Sequence, residues 1–310
     1  MVQPRPFRFG AGFFGAPSRE AWVSLARRTE ELGYSTFLIP DHFQPQLAPL
    51  TALMAAADAT RTLRVGCFVF DNDFRHPAAL AKEVATLDLL SGGRFEFGMG
   101  AGWAAADYER TGIPFDPPAV RISRLAEALH IMKGLFADEP VTFSGTHYTV
   151  AGLEGFPKPL QRPHPPVLIG GSRKELLSLA AREADIISLL GSTGPAQHDL
   201  ADHTGAATAR RVEWIKQAAG DRFSALELNT FVFEVVITAD RQGAANQLAA
   251  AYGMTSQDVL ASLHFLVGTV DDVIEELTSW RAQFGISYVA VFGEASMEAF
   301  APVVALLAGT

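Results

Sequence analysis

The sequence predicts a (β/α)8 barrel, and three observations carry that prediction. Apolar runs suited to strands alternate with amphipathic helical stretches along almost the whole of the 310 residues. Strands apolar on both faces call for parallel pairing with helices packed outside. About eight such units fit this length, which favours a closed barrel over an open doubly wound sheet. No linker cuts the chain, so residues 1–310 are read as one domain, interrupted by an irregular insertion at about 137–166, before the fifth strand.

The elements follow in order. Residues 7–13 read as the first strand. Ser18 is the N-cap of a helix with Trp22, Leu25, Thr29 and Leu32 on one face, and Gly33 stops it. A second strand at 34–39 and a short helix at 50–60 precede the apolar run 65–70, the third strand. Pro77 takes the first position of the next helix, Leu80, Val84 and Leu87 are spaced for burial, and Gly92-Gly93 end it. Residues 94–99 form the fourth strand, and Ile122, Leu125, Leu129 and Met132 mark the inner face of the following helix. The run "GTHYTVAGLEGFPKPLQRPHPP" is too rich in glycine and proline for a helix and too long for a plain loop. Alternation then resumes with strands at 167–169, 185–189, 226–237 and 287–292, helices at 173–183 and 271–284, and a closing helix.

Composition narrows the partners. The net charge is −9 and no block of lysine or arginine occurs, so neither nucleic acid nor an anionic membrane is expected, and the partner is small. The single cysteine, Cys67, rules out an internal disulfide and any multi-cysteine metal site, and fits a cytoplasmic setting. No apolar run reaches membrane-spanning length. No His or carboxylate set has clear metal-ligand spacing, so no metal is expected.

"GAGFFG", Gly10 to Gly15, matches a dinucleotide fingerprint on paper. In a true fingerprint the glycines open the helix directly, whereas here Ala16-Pro17-Ser18 intervene. These glycines are read as ending a strand and turning a loop. In a barrel the site gathers at the C-terminal strand ends. Those ends carry Phe13-Phe14, Asp41-His42-Phe43, Phe70-Asp71-Asn72-Asp73, Gly100-Ala101-Gly102-Trp103, Gly170-Gly171-Ser172 and Leu189 to Ser192. Such a mixture suits a flat aromatic ligand. His42 beside Asp41 is a candidate general acid–base, against a plainer reading in which Asp41 caps a turn. Ser172-x-x-Glu175 reads equally as a helix capping box and, with Gly170, Gly171 and Arg173, as an anion cradle. Thr269-x-x-Asp272 is read as a capping box alone.

The segments "FLIPDHF", "VATLDLLSGGRFEFGMGAGW", "GIPFDPPAVRISRLAEALHIMKGLF", "PPVLIGGSRKELLSLAAREADII" and "GISYVAVFG" together resemble the luciferase-like monooxygenase superfamily, most closely its coenzyme F420-dependent oxidoreductase branch. The likeness runs over essentially the whole chain. It implies a homodimeric barrel with a deazaflavin across its mouth, exchanging a hydride at C5 with a small organic substrate. It places a third-strand bulge with a non-prolyl cis peptide near Phe68-Val69, with Phe70 and Asp71 just beyond. His42 becomes the proton-transfer residue, with Asp41 orienting it or binding the ring. Gly100, Ala101 and Gly102 fall near the cofactor tail. Gly170, Gly171 and Ser172 fall on its phosphate, with Arg173 or Arg75 as cationic donors. Phe13, Phe14, Phe43 and Trp103 would wall a largely apolar substrate pocket. Trp103 stands where the sugar-phosphate dehydrogenases of that branch carry a catalytic glutamate, so their activity is not expected. The alternatives are an FMN-dependent monooxygenase fed by a flavin reductase, since a deazaflavin lacks the N5 chemistry for oxygen activation, and a cofactor-binding barrel without turnover. An F420 reductase is a further possible partner.

Overall fold

The computed structural model describes residues 5–191 and 200–310. Eight parallel strands close into a barrel: β1 (Arg8–Gly12), β2 (Thr36–Ile39), β3 (Arg64–Cys67), β4 (Phe95–Gly100), β5 (Val167–Gly171), β6 (Ile186–Leu189), β7 (Glu227–Val232) and β8 (Ile286–Phe292). Each strand pairs with the next, and β8 returns to β1 with Arg8 opposite Tyr288 and Gly12 opposite Phe292. The glycines of β1 have a packing reason. A Cβ on Gly10 would press on the Tyr288 hydroxyl at 3.0 Å, and one on Gly12 would meet the Phe292 ring at 2.5 Å.

The helices begin where the local chemistry places them. Ahead of α1 (Arg19–Glu31) the Ser18 hydroxyl accepts the Ala21 N–H at 3.2 Å. After α2 (Pro49–Ala59), α3 (Pro77–Leu90) starts on Pro77, whose missing N–H costs nothing there. A short α4 (Ala105–Thr111) and the long α5 (Pro118–Phe136) follow β4, and α6 (Lys174–Glu183) follows β5. The outer layer is completed by α7 (Gly205–Ala219), α8 (Arg241–Tyr252), α9 (Ser256–Ala261), α10 (Val270–Phe284) and α11 (Glu294–Leu307). Thr269 and Asp272 form the reciprocal capping box of α10. Among the described residues no helix is long and apolar enough to cross a membrane.

Opposite the mouth, the barrel floor is closed by charge. Arg8 binds Glu227 through two nitrogens at 2.8 and 2.7 Å and Glu96 at 2.6 Å, while Arg64 reaches Glu96 at 2.8 Å. Burial alone would raise the Glu96 carboxyl, but Arg8 and Arg64 outweigh it and hold it below the usual range. The Arg8 guanidinium lies 3.6 Å from the Tyr288 ring centre, sealing the plug against the interior.

The insertion is an antiparallel hairpin, Val141–Ser144 with Thr149–Leu153, followed by a run containing cis peptides before Pro157 and Pro163. It straps the barrel lengthwise. Near the mouth, Asn72 donates to the Tyr148 hydroxyl at 3.3 Å. At the floor, Gln161 accepts from Arg64 at 3.0 Å and donates to Asp88 at 2.6 Å.

Two expected strands are not continuous. The run at 226–237 leaves the barrel at Phe233, whose N–H donates to the His264 carbonyl at 2.8 Å. That turns Glu234–Ile237 outward to pair with Phe265–Gly268 over a small separate core of Ala245, Ala249 and Val259. Apolar residues continue across the break from Phe231 to Phe233, so hydrophobicity alone does not mark it. The run at 65–70 is also interrupted, after Cys67.

Candidate active site

The interruption in β3 builds one wall of the mouth. The Phe68–Val69 peptide is cis, where the family likeness put it, and the chain rejoins as Phe70–Asp71 opposite Met99 and Gly100 of β4. β4 tolerates this because its facing positions are glycine. A Cβ on Gly98 would collide with the Cys67 carbonyl, and one on Gly100 would lie 2.6 Å from Val69. Phe68 is half-buried, its ring centre 6.1 Å from Phe231 and 5.9 Å from Phe292. Phe70 is fully buried against Phe97, so its side chain is withdrawn from the mouth.

Beyond the bulge the chain lays down carboxylates. Asp41 is buried and takes a two-pronged bond from Arg75, at 2.5 and 3.1 Å, and the Asp71 N–H at 3.2 Å. Asp71 accepts the Tyr108 hydroxyl at 2.9 Å and the Asp73 N–H at 3.0 Å. Gly102 makes room for that contact: its φ is +74°, and a Cβ there would collide with the Tyr108 hydroxyl. Asp73 is held at 2.9 Å by Arg124, which also pairs with Asp116. Burial, helped by the charges of Asp73 and Asp41, pushes the Asp71 carboxyl up to about 6. Burial and the charges of Asp71 and Asp73 raise the Tyr108 phenol.

His42 does not touch Asp41. Its Nδ1 lies 2.6 Å from Asp107 of α4, and the other oxygen of Asp107 takes the Phe43 N–H at 3.1 Å. The expected orienting role of Asp41 therefore passes to Asp107, because Arg75 and the bulge already occupy both Asp41 oxygens. Trp103 packs edge-on to the imidazole, 5.4 Å between centres, and is 56% exposed. Phe43 is also exposed and rests on Phe74 at 4.8 Å, and exposed Phe14 leans on Phe292 at 6.1 Å. Phe13 is a correction: it is buried on Phe37 at 4.9 Å, part of the core and not of a pocket wall. The expectation missed Phe231 and Phe292, which line the mouth from β7 and β8.

Across the mouth, β5 ends in Gly170-Gly171, and Ser172 and exposed Arg173 lead into α6. The Ser172–Glu175 capping box is not formed. Arg173 occupies the N-cap with no side-chain cap, and the Ser172 carbonyl is bound by buried Arg211 at 3.2 Å. Gly170 pairs in register with Ser188, whose buried hydroxyl has no hydrogen-bond partner among the described residues. Ser192 lies outside the described residues. His264 donates from Nδ1 to the Phe231 carbonyl at 2.8 Å and accepts the Gly191 N–H at 3.2 Å, and burial pushes it down to about 4, so it is a neutral structural residue. A concavity of about 470 Å³ lies in the outer layer between α9 and α10 and contains none of these groups.

The profile of luciferase-like monooxygenases matches residues 8–263. The chain belongs to the luciferase-like monooxygenase family. The F420-dependent glucose-6-phosphate dehydrogenase of Microbacterium testaceum is 34% identical to this luciferase-like chain over 164 residues, 50% of this chain and 48% of that one. The FMNH2-dependent dimethylsulfone monooxygenase of Pseudomonas putida is 32% identical over 136 residues, 44% of this chain and 37% of that one. The first curated relatives are thus matched over about half to two thirds of their own length, 50% and 65%. The F420-dependent tetrahydromethanopterin reductase of Methanopyrus kandleri shares the fold, with TM-score 0.79 over 97% of this chain and 99% of that one, at 16% identity.

Proposed function

We propose that this luciferase-like barrel is an F420-dependent oxidoreductase that exchanges a hydride with a small, largely apolar organic substrate. The observation that carries the reading is the imidazole of His42 at the mouth, held by Asp107 and flanked by exposed Trp103 and Phe43. A positioned imidazole serves proton transfer to or from a substrate oxygen, which hydride chemistry needs. Matches to both an F420-dependent dehydrogenase and an FMNH2-dependent monooxygenase leave a deazaflavin or a flavin as the cofactor class.

The residues present fit such a group. Half-buried Phe68 and Val69 offer a wall to a flat ring. The unpartnered Ser188 hydroxyl beside Gly170 offers a polar contact, and Arg173 a charge for an anionic tail. Gly100, Ala101 and Gly102 close the loop beside Asp71. When bound, the deazaflavin supplies the two-electron hydride chemistry. His42 moves the proton, Asp41 fixes Arg75 and the bulge, and Trp103, Phe43 and Phe14 exclude water from the substrate side. Trp103 disfavours the sugar-phosphate activity of the relative, since an indole supplies neither the carboxylate nor a charge. Within this reading the protein is a cytoplasmic homodimer acting on small molecules.

Titration with F420 and with FMN, followed by fluorescence, tests the reading: F420 binds, and FMN binds weakly or not at all. Tight FMN binding without F420 binding would overturn it in favour of a monooxygenase fed by a flavin reductase, the reading that the dimethylsulfone monooxygenase match supports. His42→Ala is expected to slow hydride exchange by about 10²- to 10⁴-fold with F420 affinity unchanged. Binding without any exchange would favour a non-catalytic barrel.

A further inference from the structure

The geometry points to Asp107 as the positioning residue that fixes His42 in one tautomer, with Nε2 as the base for the hydroxyl of a neutral alcohol. This rests on the hydride-transfer reading above for its substrate half only.

Asp107 is 4% exposed, and both of its oxygens are engaged by neighbouring nitrogens: Nδ1 of His42 at 2.6 Å and the Phe43 N–H at 3.1 Å. A carboxylate only accepts, so Nδ1 must carry its hydrogen. The lone pair of the neutral ring then sits on Nε2, which has no hydrogen-bond partner among the described residues. The Trp103 edge against the imidazole and the Phe43 N–H anchor stop the ring from turning to exchange its two nitrogens. Such an arrangement prepares one nitrogen for one proton, and a wrong tautomer costs it heavily.

The surroundings select the substrate. Arg75 and Arg124, two arginines of the mouth, are already paired with Asp41, Asp73 and Asp116, so neither guanidinium is free to meet a phosphate or carboxylate. What remains is aromatic surface beside a base. With a deazaflavin bound, its C5 would accept the carbinol hydrogen with two electrons, while the O–H bond breaks and Nε2 takes the proton. The C–O bond becomes a carbonyl, the alcohol is oxidised and the deazaflavin is reduced. In reverse the imidazolium returns the proton to the carbonyl oxygen.

Histidine-selective ¹⁵N spectra of the full chain without cofactor, at alkaline pH, read the tautomer directly. Wild type is expected to show His42 with a pyrrole-like Nδ1 and a pyridine-like Nε2. In Asp107→Asn, whose amide can donate to Nδ1, that pattern should mix or reverse, while Asp107→Glu should retain it. With F420, and cyclohexanol and benzyl alcohol as probes, Asp107→Asn should lower kcat by about 10²- to 10⁴-fold with KM within about threefold, and Asp107→Glu should recover part of the loss. An Nε2–H tautomer in wild type, or a spectrum and kcat unmoved by Asp107→Asn, would overturn the positioning role. Failure of both alcohols to reduce bound F420 would overturn the substrate assignment. If F420 does not bind while the tautomer still follows residue 107, the cofactor reading falls and the positioning role stands.

Discussion

Both ends of the barrel are built from arginine and carboxylate, yet they are balanced differently. On the floor two arginines, Arg8 and Arg64, meet two carboxylates, Glu96 and Glu227. Each of these four charges has an opposite within bonding distance, and Glu96 is held below the usual carboxylate range. At the mouth, Asp41, Asp71, Asp73, Asp107 and Asp116 share two arginines and one imidazole. The shortage leaves Asp71 bonded to a neutral phenol and pushed up to about 6. A matched cluster is a plug, whereas a mismatched one keeps groups that take up and release protons. That agrees with barrels placing stability at the N-terminal strand ends and chemistry at the C-terminal ones.

The largest effect should come from unbalancing the floor. Glu96→Ala leaves Arg8 and Arg64 without their shared partner, and stability should fall by about 3–5 kcal/mol, read as a lower urea midpoint at unchanged slope. Under the proposed function, cofactor binding at the mouth should be unaffected in the folded fraction. A loss below about 1 kcal/mol, within the range of an ordinary surface pair, would erase the distinction between the two ends.

The next effect lies in pH. Asp71 has a folded value of about 6 against an ordinary 3.8. The folded protein therefore holds this proton more tightly than the unfolded chain, and the contribution of Asp71 is fully present below the ordinary value. It is lost as pH rises through the folded one. The displacement corresponds to about 3 kcal/mol. Asp71→Asn keeps acceptors for Tyr108 and the Asp73 N–H but cannot charge. The stability of the variant relative to wild type should rise by about 3 kcal/mol between about pH 3 and pH 7. Parallel curves for the two proteins would show that Asp71 titrates normally.

Much of this molecule is legible in its sequence because local chemistry decides it. Ser18, Pro77 and the Thr269–Asp272 pair mark helix starts by capping rules that act over a few residues. The bulge at Phe68-Val69 was placed by family likeness and not by periodicity, which reads only an unbroken apolar run. What escaped was decided by tertiary contact. Asp107 sits in a seven-residue helix with no apolar period and meets His42 across 65 positions of chain. Phe13 lies at a strand end as expected, but its N–H continues the ladder to the Leu38 carbonyl, and alternation puts its ring on the core face with Phe9 and Ala11. Ser172 and Glu175 have the spacing of a capping box, but the helix starts beyond Arg173, with the Ser172 carbonyl held by Arg211 from another helix.

The smallest expected effect tests the same contrast from the mouth. Arg124 bridges Asp73, which is nearly inaccessible, and Asp116, which is 34% exposed. Asp116→Asn removes the wetter partner while Asp73 keeps the guanidinium neutralised, so no buried charge is stranded. Solvent screens the lost attraction, and the cost should stay within about 1 kcal/mol. Arg124 is then left to Asp73 alone. On the floor the equivalent removal strands Arg64 and leaves Arg8 with Glu227 alone; here it relieves an excess of anions. A loss of about 3 kcal/mol or more in the urea midpoint analysis would mean that the mouth is a matched ion network like the floor, and that its surplus of carboxylates is only apparent.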